Sequence, residues 1–214
     1  MRAVILSNGP LEDTVVLRKR LAPVTIDLVI GADAGSFHAA ALGLRLDMVV
    51  GDMDSLHEHG ETLPGDAALI ASPAEKDETD LELALLEAVR CGADELVLLG
   101  VMGGRLDMAL ANILLLLHPA LDGVRVFIWH GQQTAWLIRP PGGVIRGRPG
   151  DTLSLIPLGA AVEGITTNGL RYPLKDEALL LGPARGLSNV LTEPSAQVDV
   201  RNGLLLAVHT PGRA

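Results

Sequence analysis

The stretch ELVLLGVMGGRLDMALANILLLL, residues 95–117, decides how the chain is read. It opens with ELVLLG, a continuously apolar run of the kind found in strands covered on both faces. Gly103 and Gly104 follow, where backbone can turn tightly or approach a ligand closely. LDMALANILLLL (106–117) then reads as a helix. The same alternation recurs outward from this βα unit. AVIL (3–6), DLVIGA (27–32), DMVVG (47–51), AALIA (67–71) and VRVFIW (124–129) read as further buried strands, and DLELALLEAVR (80–90) as a second clear helix. Alternating βα units with such strands predict a parallel, Rossmann-like sheet with helices on both faces.

Beyond His130 the character changes. PPGGVIRGRPG (140–150) is dense in proline and glycine, and DTLSLIPL (151–158), AVEGITT (161–167), SAQVDV (195–200) and LLLAVHT (204–210) follow at short intervals. No long amphipathic pattern appears there. The expected organisation is an α/β domain over 1–135 and a smaller all-β sandwich over 136–214.

Composition narrows the classes. Hydrophobic residues make up 48% of the 214 and aromatic residues 2%, so the core is aliphatic and the chain is not disordered. A formal charge of -9 argues against a nucleic-acid binder, which needs a basic face. It leaves a nucleotide substrate open, because Mg²⁺ bridges carboxylates and phosphates. The lone Cys91 excludes an intrachain disulfide. The apolar part of MRAVILSNGP is too short for a signal peptide, and the run 108–117, interrupted by Asn112, spans about half a bilayer. These features predict a cytoplasmic protein without a membrane span.

In an open α/β sheet, ligands bind beyond the carboxyl ends of the strands. The polar clusters of the first domain fall at such ends: Asn8 and Gly9, GADAGS (31–36), GDMDS (51–55), KDETD (76–80) and GGRLD (103–107). The fold would bring Asp33, Asp52, Asp54, Asp77, Asp80, Arg105 and Asp107 towards one rim. If the strand runs on through GDMDS, Asp52 and Asp54 share a face. Two such carboxylates repel unless a cation lies between them or one is protonated, and Mg²⁺ is the usual cation where phosphates share the site. A β-turn fits the same residues. Thr79 with Glu82 fits a capping box, which leaves Asp77 and Asp80 either as ligands or as complements to the helix dipole. Lys76 fits a phosphate contact or an exposed lysine. Arg105 suits phosphate oxygens and equally a surface ion pair with Asp107. His57 and His59 read as a solvated loop, Cys91 as packed after its helix, and Leu81, Leu85, Leu86 and Val89 as core.

Taken in order, ADAG (32–35), GDMDS (51–55), KDETD (76–80), GGRLD (103–107) and GLSN (186–189), with GITTNGLRYPL (164–174), resemble the motifs of the thiamine pyrophosphokinase family over residues 1 to about 208. The resemblance implies a homodimer in which an α/β domain holds Mg-ATP and a β-sandwich domain completes the thiamine site across the dimer interface. It implies transfer of a diphosphoryl group from ATP to the hydroxyl of thiamine, with AMP released. Asp52, Asp54 and Asp80 match the family's metal-binding acids, and with Arg105 and Asp107 form the implied catalytic set. Asp33, Gly35, Lys76, Asp77, Thr79, Gly104 and Arg105 fall in the segments around ATP. Ser188 and Asn189 match the segment that helps hold thiamine. Tyr172 stands at an aromatic position, either stacking on a flat ring or half-buried in a strand. Two departures stand out. Ala34 replaces a usual glycine, which matters if the backbone there is left-handed. Met108 replaces a usual His or Gln.

Other readings use the same acids: a diphosphokinase for another heteroaromatic alcohol such as a pterin, a D-x-D phosphohydrolase with Asp52 as nucleophile, or a non-catalytic nucleotide-binding regulator.

Overall fold

The computed structural model describes residues 1–52, 66–73 and 75–212, which divide into two compact units, Met1–Gly131 and Gln132–Ala214. In the first, β1 (Arg2–Leu6), β2 (Leu28–Ala32), β3 (Met48–Gly51), β4 (Ala68–Ala71), β5 (Glu95–Leu99) and β6 (Arg125–His130) pair in the order β6-β5-β1-β2-β3-β4. Every pairing is parallel, with Val4 opposite both Val29 and Val97. The chain builds outward from β1 to β4, then returns to the other side of β1 with β5. That reversal makes the carboxyl ends of β1 and β5 the topological switch point, where open α/β sheets bind ligands.

Among the described residues, α-helices α1 (Thr14–Leu21), α2 (His38–Leu42), α3 (Asp80–Arg90) and α4 (Leu106–Leu114) pass over this sheet. One sheet face sends Val4, Leu6, Val29, Val49, Val97 and Leu99 into a core with Leu17 and Leu21 of α1 and Leu42 of α2. Alternation sends Ile5, Ile30, Val50, Leu96 and Leu98 to the opposite face, and all five are buried. Helix α3 packs against β1, β2 and β3 and buries Leu81, Ala84, Leu85 and Ala88, the i, i+3, i+4, i+7 spacing of one helical face. Each such leucine contributes about 1.5–3 kcal/mol.

Several expectations need correction. Strand β4 ends the strand order and is mostly exposed, with a strand neighbour on one side only among the described residues. The helical run from 106 becomes a tighter 3-10 turn at Leu115–Leu117. Leu86 and Val89 are only half-buried. Cys91 is exposed at the end of α3, where its Sγ donates to Glu87 Oε1 at 3.6 Å. Strand β3 stops at Gly51, so Asp52 lies past the strand rather than on one of its faces. His57 and His59 lie outside the described residues. No described helix is long and apolar enough to cross a membrane.

In the second unit β7 (Gln133–Ile138), β8 (Gly142–Arg146), β9 (Thr152–Pro157), β10 (Val162–Asn168), β11 (Glu177–Leu179), β12 (Asn189–Val190), β13 (Ser195–Asp199) and β14 (Leu205–Thr210) form two antiparallel arrays, β12-β9-β14-β7 and β11-β10-β13-β8. Leu153, Leu155, Leu205 and Ala207 of one array and Ile165, Leu179, Ala196 and Val198 of the other share an aliphatic core. This is the expected sandwich, built from alternating inward positions.

Asp151 ties the start of β9 to the end of β14. Its Oδ1 accepts from the Gly212 amide at 2.8 Å, and its Oδ2 from the Arg148 amide at 2.8 Å and His209 Nε2 at 2.9 Å. Burial pushes this carboxyl up, but the two amides and the imidazole together hold it below its usual range. A depressed carboxyl contributes stability above its unfolded pKa, about 4, and loses it as pH falls through the folded value. Acid titration is therefore expected to destabilise the Asp151→Asn chain less than the unsubstituted one below about pH 4, measured as melting temperature against pH.

Candidate active site

The floor of the site is backbone. The loops leaving β1, β2, β4 and β5 and the last residue of β3 touch one another across the carboxyl ends of the sheet. Gly9 N donates to Gly100 O at 2.7 Å, joining the β1 and β5 ends. A Cβ on Gly35 would overlap Leu6 O, so glycine lets the 3-10 turn after β2 lie directly on the β1 end. A Cβ on Gly51 would come within 3.0 Å of the Asp33 Cβ, and the Ser72 amide donates to Gly51 O at 2.9 Å. His38 Nε2 donates to Gly9 O at 2.9 Å.

Asp33 stands on this floor. It is buried, its backbone is left-handed at φ 47°, and its Oδ1 has no hydrogen-bond partner among the described residues. A buried, unpartnered carboxylate oxygen on left-handed backbone makes Asp33 a candidate functional position. Ala34 is not among the left-handed residues. The glycine it replaces is therefore not required by backbone conformation, and the strain falls one residue earlier. Asp52 is half-buried, immediately after Gly51. Asp54 lies outside the described residues.

Next to these, Lys76 Nζ donates to Asp80 Oδ1 and to Ser72 Oγ, each at 2.6 Å. Its side chain is only 12% exposed, so Lys76 is not a solvated surface lysine. Ser72 carried no signal in the sequence; its role appears only where β4 meets the start of α3. Thr79 caps α3 by accepting from the Glu82 amide at 3.2 Å, while Glu82 itself faces His118 Nε2 at 3.5 Å. Asp77 is exposed. Thr79→Ala is expected to cost about 1 kcal/mol, read as a melting temperature lower by roughly 2–4 °C.

After β5, Gly103 and Gly104 are both left-handed, at φ 91° and 67°. Arg105 then occupies the cap position of α4, and its Nε and Nη2 reach Asp107 at 3.1 and 2.6 Å. The Arg105 guanidinium, then the Met108 amide, hold the Asp107 carboxyl below its usual range. Both side chains are exposed, which leaves Arg105 able to exchange this partner for an anionic ligand. Met108 contributes only its backbone to Asp107 here, at 2.9 Å.

The second unit carries Tyr172, Ser188 and Asn189. Tyr172 is 63% exposed in the segment after β10, so it is neither half-buried nor in a strand. Asn189 Oδ1 accepts from the Tyr172 and Val190 amides at 3.0 and 2.9 Å, and its Nδ2 donates to Tyr172 O at 2.8 Å. The Asn189 side chain is thus engaged in holding the Tyr172 backbone. Ser188 is left-handed at φ 54° and its amide donates to Ser154 Oγ at 3.0 Å.

Among the described residues no three acidic, His or Cys side chains converge on a single metal-sized point. The strand ends present carboxylate oxygens, the type Mg²⁺ takes, and Asp33 Oδ1 has no hydrogen-bond partner among the described residues. The donor chemistry fits a hard divalent cation.

Residues 24–128 match the family described as thiamin pyrophosphokinase, catalytic domain, and residues 144–205 the family described as thiamin pyrophosphokinase, vitamin B1 binding domain. The thiamine pyrophosphokinase of Bacillus subtilis (strain 168) is 29% identical over 187 residues, covering 86% of this chain and 87% of that protein. A crystal structure of thiamine pyrophosphokinase from Bacillus subtilis matches with a TM-score of 0.84 at 26% identity, over 99% of each chain. One of a thiamin pyrophosphokinase family protein from Enterococcus faecalis matches with 0.83 at 27% identity, over 100% of each.

Proposed function

This chain belongs to the thiamine pyrophosphokinase family, and we propose that it transfers the diphosphoryl group of Mg-ATP to the hydroxyl of thiamine, giving thiamine diphosphate and AMP. The observation that carries this reading is the strand-end rim itself. A strained, buried and unpartnered Asp33 lies against Gly51, with Asp52 next in the chain. Such a rim calls for a cation and, with it, an anionic substrate.

Asp52 and Asp54, with Asp80, would hold Mg²⁺. Bound there, the ion would offset the charge of the ATP phosphates. The chain's own residues do the rest. Lys76 keeps Asp80 in place through the Ser72–Lys76–Asp80 contacts and lies close enough to the start of α3 to meet a phosphate. Gly104 allows close backbone approach, Thr79 and Asp77 border the nucleotide, and Gly35 shapes the floor beneath Asp33. Arg105 leaves Asp107 to clamp the phosphoryl oxygens with its planar fork. The thiamine oxygen attacks the β-phosphorus in line, the bond to the α-phosphate oxygen breaks, and the hydroxyl proton is released. Catalysis of this kind is positioning and electrostatics. In the second unit the thiamine ring would lie on Tyr172, with Ser188 beside it and Asn189 fixing the Tyr172 backbone. The assembly proposed is a cytoplasmic homodimer.

A panel of alcohols with Mg-ATP tests the acceptor. AMP formed with thiamine and not with a hydroxymethyl pterin supports the reading; the reverse result moves the substrate and overturns it.

A further inference from the structure

Asn112 interrupts the most apolar run of the chain, and it is the buried residue of α4, only 5% exposed. Its Nδ2 donates to Val101 O at 2.8 Å, while its Oδ1 has no hydrogen-bond partner among the described residues. The amide thus satisfies the carbonyl of buried Val101 with one end and buries an unpartnered acceptor at the other. A half-satisfied amide at this position calls for a reason beyond packing.

Its one bond suggests that reason. Val101 follows Gly100 at the switch point, and Asn112 lies 11 residues further on. The bond closes the intervening segment into a loop, and that loop carries Gly103, Gly104, Arg105 and Asp107. Two of these residues are left-handed glycines, so the segment has little stiffness of its own. Gly103 lies over the Pro10 ring, where a Cβ would come within 2.8 Å of Cγ. The Asn112 amide supplies the hold on the opposite side, from within the helix that Arg105 begins.

We propose that Asn112 is a positioning residue that sets the placement of Arg105 over the strand ends. The inference rests on Arg105 serving the reaction proposed above. Asn112 touches no reacting atom; it acts by fixing where the guanidinium starts from. A misplacement of about 1 Å at such a group can lower turnover about 100-fold.

The test uses the full chain and four forms: unsubstituted, Asn112→Leu, Arg105→Ala and the double variant. AMP formation is followed at saturating ATP across a thiamine series that reaches saturation, and melting temperature in parallel. Asn112→Leu is expected to melt within about 5 °C of the unsubstituted chain. Its kcat is expected to fall about 10- to 100-fold, with the thiamine KM unchanged. On the Arg105→Ala background the same substitution is expected to lower kcat by no more than about twofold. Unchanged turnover of Asn112→Leu overturns the proposal. So do fully multiplicative effects, or a larger fall in melting temperature, which would make Asn112 a support of the fold alone. An unsubstituted chain that forms no AMP overturns the reaction instead. Amide exchange over 101–105 then decides this point: faster exchange in Asn112→Leu supports the hold, and unchanged exchange overturns it.

Discussion

Replacing Asp52 by asparagine is expected to lower turnover at least about 100-fold, the loss typical of one key electrostatic group, with the melting temperature unchanged. Asparagine keeps the size and shape of the side chain, and position 52 lies beyond the end of β3, half-buried. It is not part of the buried core. What is lost is one negative charge at a rim where Asp33 already stands buried with an unpartnered oxygen. If the proposed cation is held by Asp52, Asp54 and Asp80, the variant keeps two of three anionic oxygen ligands. Its rate should then rise more steeply with added Mg²⁺ than that of the unsubstituted chain. Initial rates of AMP formation across a Mg²⁺ series, with a melting curve beside them, read both effects. A folded Asp52→Asn chain that turns over at nearly the normal rate would remove Asp52 from the metal set.

The second large effect concerns the fold beneath the site. Gly100→Ala is expected to cost about 3 kcal/mol or more, combining left-handed strain with a backbone clash. Gly100 has φ 69°, and a Cβ there would overlap the Ser7 carbonyl oxygen and come within 3.0 Å of Gly9 O. Neither neighbour is a flexible side chain. The same two loops are joined by the bond from Gly9 N to Gly100 O. Any retreat therefore pulls apart the β1 and β5 ends at the switch point. Gly43 provides the comparison: its φ is 70°, but a Cβ there would meet nothing within 4 Å. Gly43→Ala should show the strain alone, about 1–2 kcal/mol. Thermal denaturation of the two variants reads the difference, with Gly100→Ala melting roughly 10 °C lower than the unsubstituted chain. Equal losses for the two would mean that the loops separate without penalty.

Much of this was legible in the sequence because it depends on local pattern. Continuous apolar runs marked β1, β2, β3 and β5, whose residues are covered on both faces. Thr79 ahead of DLELALLEAVR marked the start of α3, since a cap and its helix are neighbours in the chain. The pattern misled at β4, where ALIA is as apolar as the central strands but lies at the end of the strand order. Among the described residues it has a strand neighbour on one side only, which no local window shows. At the site, the motifs marked acids just past strand ends, and Asp80 and Asp107 pair with Lys76 and Arg105 of their own motifs; the contacts to residues outside each motif were not legible. Lys76 meets Ser72, and Asn189 meets Tyr172 across 17 residues. The departure at Ala34 mattered only if that position needed a glycine's freedom, and the left-handed residue is its neighbour Asp33, because sequence shows which residue tolerates strain and not which one bears it.

The central claim is that two phosphoryl groups leave ATP together for thiamine. Its most direct test follows ATP labelled in the α-phosphate in one reaction and in the γ-phosphate in another, each with Mg²⁺, thiamine and the purified chain. The account predicts that the α-label leaves as AMP, the γ-label appears in thiamine diphosphate, and both products vanish with EDTA. An α-label recovered in ADP with the γ-label in thiamine monophosphate or inorganic phosphate, or no labelled product at all, would contradict it.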